Sequence, residues 1–468
     1  MLELFIIIFY FLAVILIGIL SRRKHWGLDD FFVSRRRQST VFVTGSLLAT
    51  IIGGSATLGM AGLGFSRGLT GIWWLLAGSI GLMILGTFLA KKVRDAGLYT
   101  LPELIEKQYD KWAALAASIL IVLAWTAVIA GQIIAAGKIF SILGVGNSST
   151  WMIIFTLTFV AYVIIGGQYA VIRTDLLQSI LIFGGIFAAG IFLLVKIGGP
   201  GSLYSSLPSD SFSFPLSSKF GIRDLLTYLL ITGSTYVVGP DIYSRLFCAK
   251  DSRTARKSVF FAAGMLIPVA FIIVLIGMGA LVLFPQTAPE QAFPVVIINL
   301  FPPFLGGLVL AALISAVMSS ADTTVLSASI ILTRDIFGFF KPAASEKSII
   351  NLSRLSILIL GLIALALALV LQGVISALLF AYTIYTCGVI VPVIMGFYKD
   401  KLKLTPLSAV IGIIAGGLAG LTSKLWQIPY LDLIALPLSG VLLYMVSLLD
   451  RKLKNRTKIS ATFGNTDA

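Results

Sequence analysis

Thirteen apolar runs constrain this chain more than any other feature. They lie near 2–20, 41–65, 70–90, 112–140, 150–168, 174–196, 225–247, 258–284, 301–333, 351–371, 374–398, 405–422 and 431–449. A helix needs roughly 20 apolar residues to cross about 30 Å of hydrocarbon, and each run is near or above that length. Backbone polar groups in lipid must be satisfied within the protein, which helices do segment by segment. The runs therefore predict an all-α polytopic membrane protein of about 13 transmembrane helices. Of 468 residues, 58% are hydrophobic and 12% charged, too apolar a balance for a soluble fold to bury. The whole chain, 1–468, reads as one transmembrane domain with no soluble domain attached.

The formal net charge of +15 raises the question of nucleic acid, and the distribution of the basic residues answers it. Alternating the thirteen runs across a membrane puts 29 of the 35 Lys and Arg on one side, from Arg22 through Arg245 to Lys458. The other six are Arg67, Lys138, Lys196, Lys219, Arg223 and Lys424. That asymmetry is the positive-inside pattern and places the N-terminus outside and the C-terminus in the cytoplasm of a plasma-membrane protein. The expected surroundings are the lipid bilayer, with no nucleic acid. The first run begins Met-Leu-Glu without a basic leader and is not expected to be a cleaved signal. Residues 198–223 and 285–303 read as outside loops or partial lids, and the polar tail 451–468 as disordered. Cys248 and Cys387 read as buried thiols, and the one histidine, His25, lies in a polar loop.

Polar residues inside the runs point to chemistry. The ninth run carries Ser319, Ser320, Thr323, Thr324 and Ser327 around Asp322. An ionisable group at bilayer depth costs about 2.5–3.5 kcal/mol on insertion scales, so it should face a cavity or a partner. Hydroxyls beside a carboxylate are hard ligands for a small cation. Asp175 opens the sixth run, where an ion site, a cap or pairing with Arg173 all remain open. For Asp241 in the seventh run, pairing with Arg245 one turn on is the favoured reading.

The second run holds glycines at 53, 54, 59, 62 and 64, and the seventh is cut by Gly239-Pro240. For the second run taken alone, close packing of its small residues against a neighbouring helix is the favoured reading; irregular backbone at membrane depth is tolerated where it lines a cavity or is buried in protein. Interrupted helices at corresponding places in two halves are a pointer to a transporter binding site. With halves at about 41–196 and 225–398, each of five runs, each half opens on an interrupted helix. An odd number of runs makes the repeats inverted. The run at 2–20 is then an extra N-terminal helix, and 405–449 supplies two C-terminal ones. Candidate solute-binding residues beside the breaks are Ser55, Ala56, Trp125, Gln132, Thr232, Thr235 and Tyr236.

Four stretches in this order resemble the sodium:solute symporter family: Gly59-Met-Ala-Gly-Leu-Gly, Thr174-Asp-Leu-Leu-Gln, Gly239-Pro-Asp-Ile-Tyr-Ser-Arg and Ala316-Val-Met-Ser-Ser-Ala-Asp. The likeness covers the first eleven runs and implies a LeuT-type 5+5 inverted-repeat fold. It implies a sodium site made of the carbonyls of Ala49, Ile52 and Ala316 and the hydroxyls of Ser319 and Ser320. A second sodium, bound in some members, would use Asp175, Asp322 and Thr323. Asp322 departs from the hydroxyl usual there and could instead take a proton. The Ser-Ser-Ala-Asp stretch is similar to that of the choline-transporter branch. Trp125 supplies one wall of an aromatic cage, but Ile51 and the Pro240 region offer no ring, so choline is not favoured.

These residues together predict a sodium-coupled secondary symporter importing a small organic solute by alternating access, with sodium as the co-transported ion. One inward charge gains about 2.3 kcal/mol per 100 mV of membrane potential. The nearest rival is a proton-coupled transporter using Asp175 or Asp322. A polytopic membrane enzyme is a remoter one, because the sequence offers no buried histidine and no nucleophile–base spacing. A passive channel would need a repeated selectivity filter, and none is legible.

Overall fold

The protein is described by a computed structural model over residues 2–21, 27–144, 146–371 and 373–463. Arg22, Arg23, Lys24 and His25 lie outside the described residues. Its principal helices are α1 (Leu2–Leu20), α2 (Thr40–Ile51), α3 (Ser55–Asp95), α4 (Lys111–Ser141), α5 (Ser148–Ile197), α6 (Gly233–Val237) and α7 (Pro240–Cys248). They continue with α8 (Ser252–Leu283), α9 (Pro303–Phe340), α10 (Glu346–Val370), α11 (Val374–Gly396), α12 (Pro406–Leu425) and α13 (Leu431–Phe463).

Among the described residues ten helices are long and apolar enough to cross a membrane. The difference from thirteen runs comes from where the backbone bends. At 50 residues α5 would extend roughly 75 Å at 1.5 Å per residue, more than twice the hydrocarbon thickness. Gly167, at φ 50° and ψ −154°, breaks it into two segments that match the fifth and sixth runs. A side chain there would also meet the ring of Phe31 at 2.7 Å. Gly68, at φ 69°, divides α3 in the same way, and the backbone of Ser211 from the 198–223 segment packs directly on it. The seventh run is missing from the ten because it is cut into the short pieces α6 and α7.

Capping residues set several starts. Asp110 accepts from the amides of Trp112 and Ala113 at the head of α4. Asp251 accepts from the Thr254 amide at the head of α8, and that hydrogen bond holds its carboxyl below the ordinary carboxylate range. The helix beginning at Leu431 continues to Phe463, with Lys454 pairing to Asp450 at 2.9 Å.

The core is centred on α9. It packs most extensively against α5 and α4 and also meets α1, α2 and α10. From Val309 through Ile330 every residue of α9 is buried. Its hydroxyls and carboxylate therefore face other helices rather than lipid.

Candidate functional site

The site is built where α2 stops. Ile52 leaves helical geometry at φ −84° and ψ 67°, and the chain resumes as α3 at Ser55. Gly53 is required by the close approach of α9, because a Cβ there would meet the Ser320 Cβ at 2.8 Å. Gly54 donates its amide to Gln132 Oε1 at 2.8 Å, which ties the break to α4.

Across this break two serines of α9 reach the end of α2. Ser319 Oγ lies 2.7 Å from the Ala49 carbonyl and 3.1 Å from the Ala316 carbonyl. Ser320 Oγ donates to the Thr50 carbonyl at 2.7 Å, one residue from the carbonyls expected by resemblance. The structure thus brings Ala49, Ala316, Ser319, Ser320 and the break at Ile52 together. A hydroxyl carries two acceptor lone pairs besides its proton, so each serine can turn its proton aside and offer oxygen to an ion.

One turn further along α9 the arrangement differs from the sequence expectation. Arg245, which the charge distribution assigns to a loop, is fully buried, and so is Asp175. The short α7 points the guanidinium into the bundle instead of leaving it at the surface. Arg245 Nη2 pairs with Asp175 Oδ2 at 3.0 Å and also reaches Thr323 Oγ1. Its Nε donates to Ser46 Oγ at 2.9 Å and its Nη1 to Ser244 Oγ at 3.2 Å. The expected Asp241–Arg245 pair therefore does not form; the geometry favours a carboxylate across the bundle over one on the same short helix. Arg173 turns to the Tyr169 hydroxyl rather than to Asp175.

Thr323 links this pair to the remaining acidic residue. Its hydroxyl lies 3.2 Å from Asp322 Oδ1 and 3.2 Å from Thr50 Oγ1. Asp175 Oδ1, Asp322 Oδ2 and Gln178 Oε1 are buried acceptors without a hydrogen-bond partner among the described residues. Arg245 thus pairs with Asp175, while Asp322 has the Thr323 hydroxyl and no ion pair among the described residues; a buried carboxylate without a cationic partner calls for a cation or a proton.

Beside the break lies a cavity with about 30 Å³ of free volume, room for roughly two water molecules. Ser55, Trp125, Gln132, Thr235 and Tyr236 line it, as the sequence suggested. Ala56 and Thr232 are buried but are not in its lining, because α3 and the segment before α6 turn them away. The Trp125 ring packs edge-on against Tyr385 with centroids 4.7 Å apart. Sequence reasoning missed Tyr382 and Asp241 in this lining. Asp241 could have been found from its place just after Gly239-Pro240; Tyr382, on α11, carries no such local signal.

Both ends of α4 are latched. Near its C-terminus Lys138 pairs with Glu290, whose Oε1 also accepts from the Val374 amide at 3.1 Å. At the other end Trp112 meets Phe339 with centroids 4.8 Å apart, and Arg334 pairs with Glu103 close by.

The model of the Sodium:solute symporter family matches residues 31–416. The chain is 27% identical over 375 residues to the high-affinity proline transporter PutP of Bacillus subtilis (strain 168), covering 76% of this chain and 78% of that one. It is 26% identical over 463 residues to the sodium/glucose cotransporter of Vibrio parahaemolyticus, covering 88% and 83%. Among solved structures it superposes on a substrate-bound, outward-open Na+-coupled sialic acid symporter with a TM-score of 0.83 at 18% identity, covering 96% and 98%. The fold is of the LeuT type, and a match over residues 31–416 shows that this chain belongs to the sodium:solute symporter family.

Proposed function

We propose that this symporter holds its driving sodium ion between the end of α2 and the middle of α9. The ligands are the carbonyls of Ala49, Ile52 and Ala316 and the hydroxyls of Ser319 and Ser320. The observation that carries this is the 2.7 Å approach of Ser319 Oγ to the Ala49 carbonyl across a broken helix. Sodium there would fix the break against α9, and the break is also a wall of the cavity through Gly53 and Ser55. Ion binding and solute binding are coupled because they order the same few residues. The Lys138–Glu290 and Arg334–Glu103 latches then open in alternation. Transport rather than catalysis is the activity.

Asp175, Asp322 and Thr323 serve a second cation. Arg245 neutralises one of the two carboxylates and the transported ion the other, through the free oxygens Asp322 Oδ2 and Asp175 Oδ1. Replacing Asp322 by Asn removes the charge imbalance while keeping the size of the side chain. In proteoliposomes, Asp322→Asn should make the sodium dependence of uptake simpler and weaken cooperativity. If Asp322 carries a proton instead, the substitution will flatten the pH profile and leave the sodium curve intact.

The chain lies in the plasma membrane with its N-terminus outside and its C-terminus in the cytoplasm, as the distribution of Lys and Arg supports. A tag inserted after Asp450 should be accessible only from the cytoplasm and one within 198–223 only from outside. Both tags on one side would refute this orientation.

A further inference from the structure

We infer that the solute carries a protonated amine and that Asp241 is the residue that selects it. The inference rests on the transport reading above and names the class of solute that the cavity takes.

Asp241 is the one charged residue in the cavity lining. The other walls include Trp125, Tyr236 and Tyr382, hydroxyls such as those of Thr235 and Ser320, and the Gln132 amide, with apolar side chains between them. Arg245, the cation one turn away, is held by Asp175, Thr323, Ser46 and Ser244. Among the described residues no Lys or Arg forms an ion pair with Asp241. A structural role accounts for only part of the side chain. Asp241 sits in the first turn of α7, where a carboxylate is favoured by the helix dipole, and its Oδ1 accepts the Ile242 amide at 3.0 Å. Its Oδ2 has no hydrogen bond among the described residues, and the residue is only partly buried within the bundle.

A negative lining with aromatic walls repels anions and leaves a neutral solute beside a carboxylate that no ion pair among the described residues holds. An ammonium group satisfies both features: it pairs with the free carboxylate oxygen and is attracted to ring faces. Tyr382 adds a third ring to Trp125 and Tyr236, which the sequence already offered as lining. Trp125 Nε1, buried without a hydrogen-bond partner among the described residues, leaves a donor at the same cavity for an oxygen of the solute. The class is therefore amines and zwitterions that also carry a hydroxyl or carboxylate.

The test uses the purified full chain and two matched pairs that differ at the nitrogen: L-proline against tetrahydro-2-furoate, and D-glucosamine against D-glucose. Binding is followed by thermal unfolding in sodium and in potassium chloride. At least one amine should bind tenfold or more tightly than its partner. Asp241→Asn should erase that ratio, and Asp241→Glu should retain part of it. Preference for the nitrogen-free members, or no stabilisation by any amine, overturns the inference. So does an Asp241→Asn protein with a raised sodium requirement and an unchanged ratio, which would assign the carboxylate to the ion. An amine preference that is identical in sodium and potassium leaves this inference standing and removes sodium coupling instead.

Discussion

Replacing Arg245 by Met is expected to destabilise the folded protein by about 3–5 kcal/mol, because it strips the partner from a buried carboxylate. Arg245 and Asp175 have no exposed side-chain surface, so water cannot take over from the guanidinium. Thr323 and Ser46 would lose a donor at the same time. Two further results separate a charge effect from simple loss of packing. Adding Asp175→Asn to Arg245→Met should recover much of the stability, since the orphaned charge is then gone. Raising sodium should also stabilise Arg245→Met more than the parent, as an ion enters beside Asp175 and binding to the folded state adds to stability. Thermal unfolding of the single and double variants across a sodium series checks both. Equal loss in the single and double variants, with no added sodium effect, would assign Arg245 to packing alone.

Ser319→Ala should raise the half-saturating sodium concentration for uptake by about tenfold, the loss expected when one buried oxygen worth roughly 1–3 kcal/mol is removed from a small shell. Ser320→Ala should act in the same direction, and the two together more strongly than either. The maximum rate at saturating sodium should change less than the affinity, because the cavity walls other than Ser320 are untouched. Initial uptake rates at fixed pH and ionic strength, with potassium replacing sodium, give the curves. A sodium response that stays put in both well-folded variants would move the ion elsewhere.

The helices were legible because apolar length is a local property, and so were the breaks, which follow from Gly53-Gly54 and Gly239-Pro240. Ser319 and Ser320 could be placed against α2 only through family resemblance, since nothing local says which helix a buried serine faces. Arg245 shows the opposite limit. A basic residue five positions before Lys250 and its loop counts as a loop charge in any tally along the chain, and only the packing of α7 turns it inward to Asp175. Once Arg245 is taken by Asp175, Asp241 is left at the cavity, so a single misplaced pairing hid the surroundings of both residues. The merged lengths of α3 and α5 have a similar origin: positive φ at Gly68 and Gly167 bends the chain without a loop that composition could reveal.

Sodium held between the broken α2 and α9 is tested most directly by an experimental structure of the protein in saturating sodium, set beside one in potassium. An ion is expected between the carbonyls of Ala49, Ile52 and Ala316 and the hydroxyls of Ser319 and Ser320 in sodium only, with both serines released from their hydrogen bonds to Ala49 and Thr50. Serines still bonded to those carbonyls in saturating sodium, with the ion bound elsewhere, would contradict it.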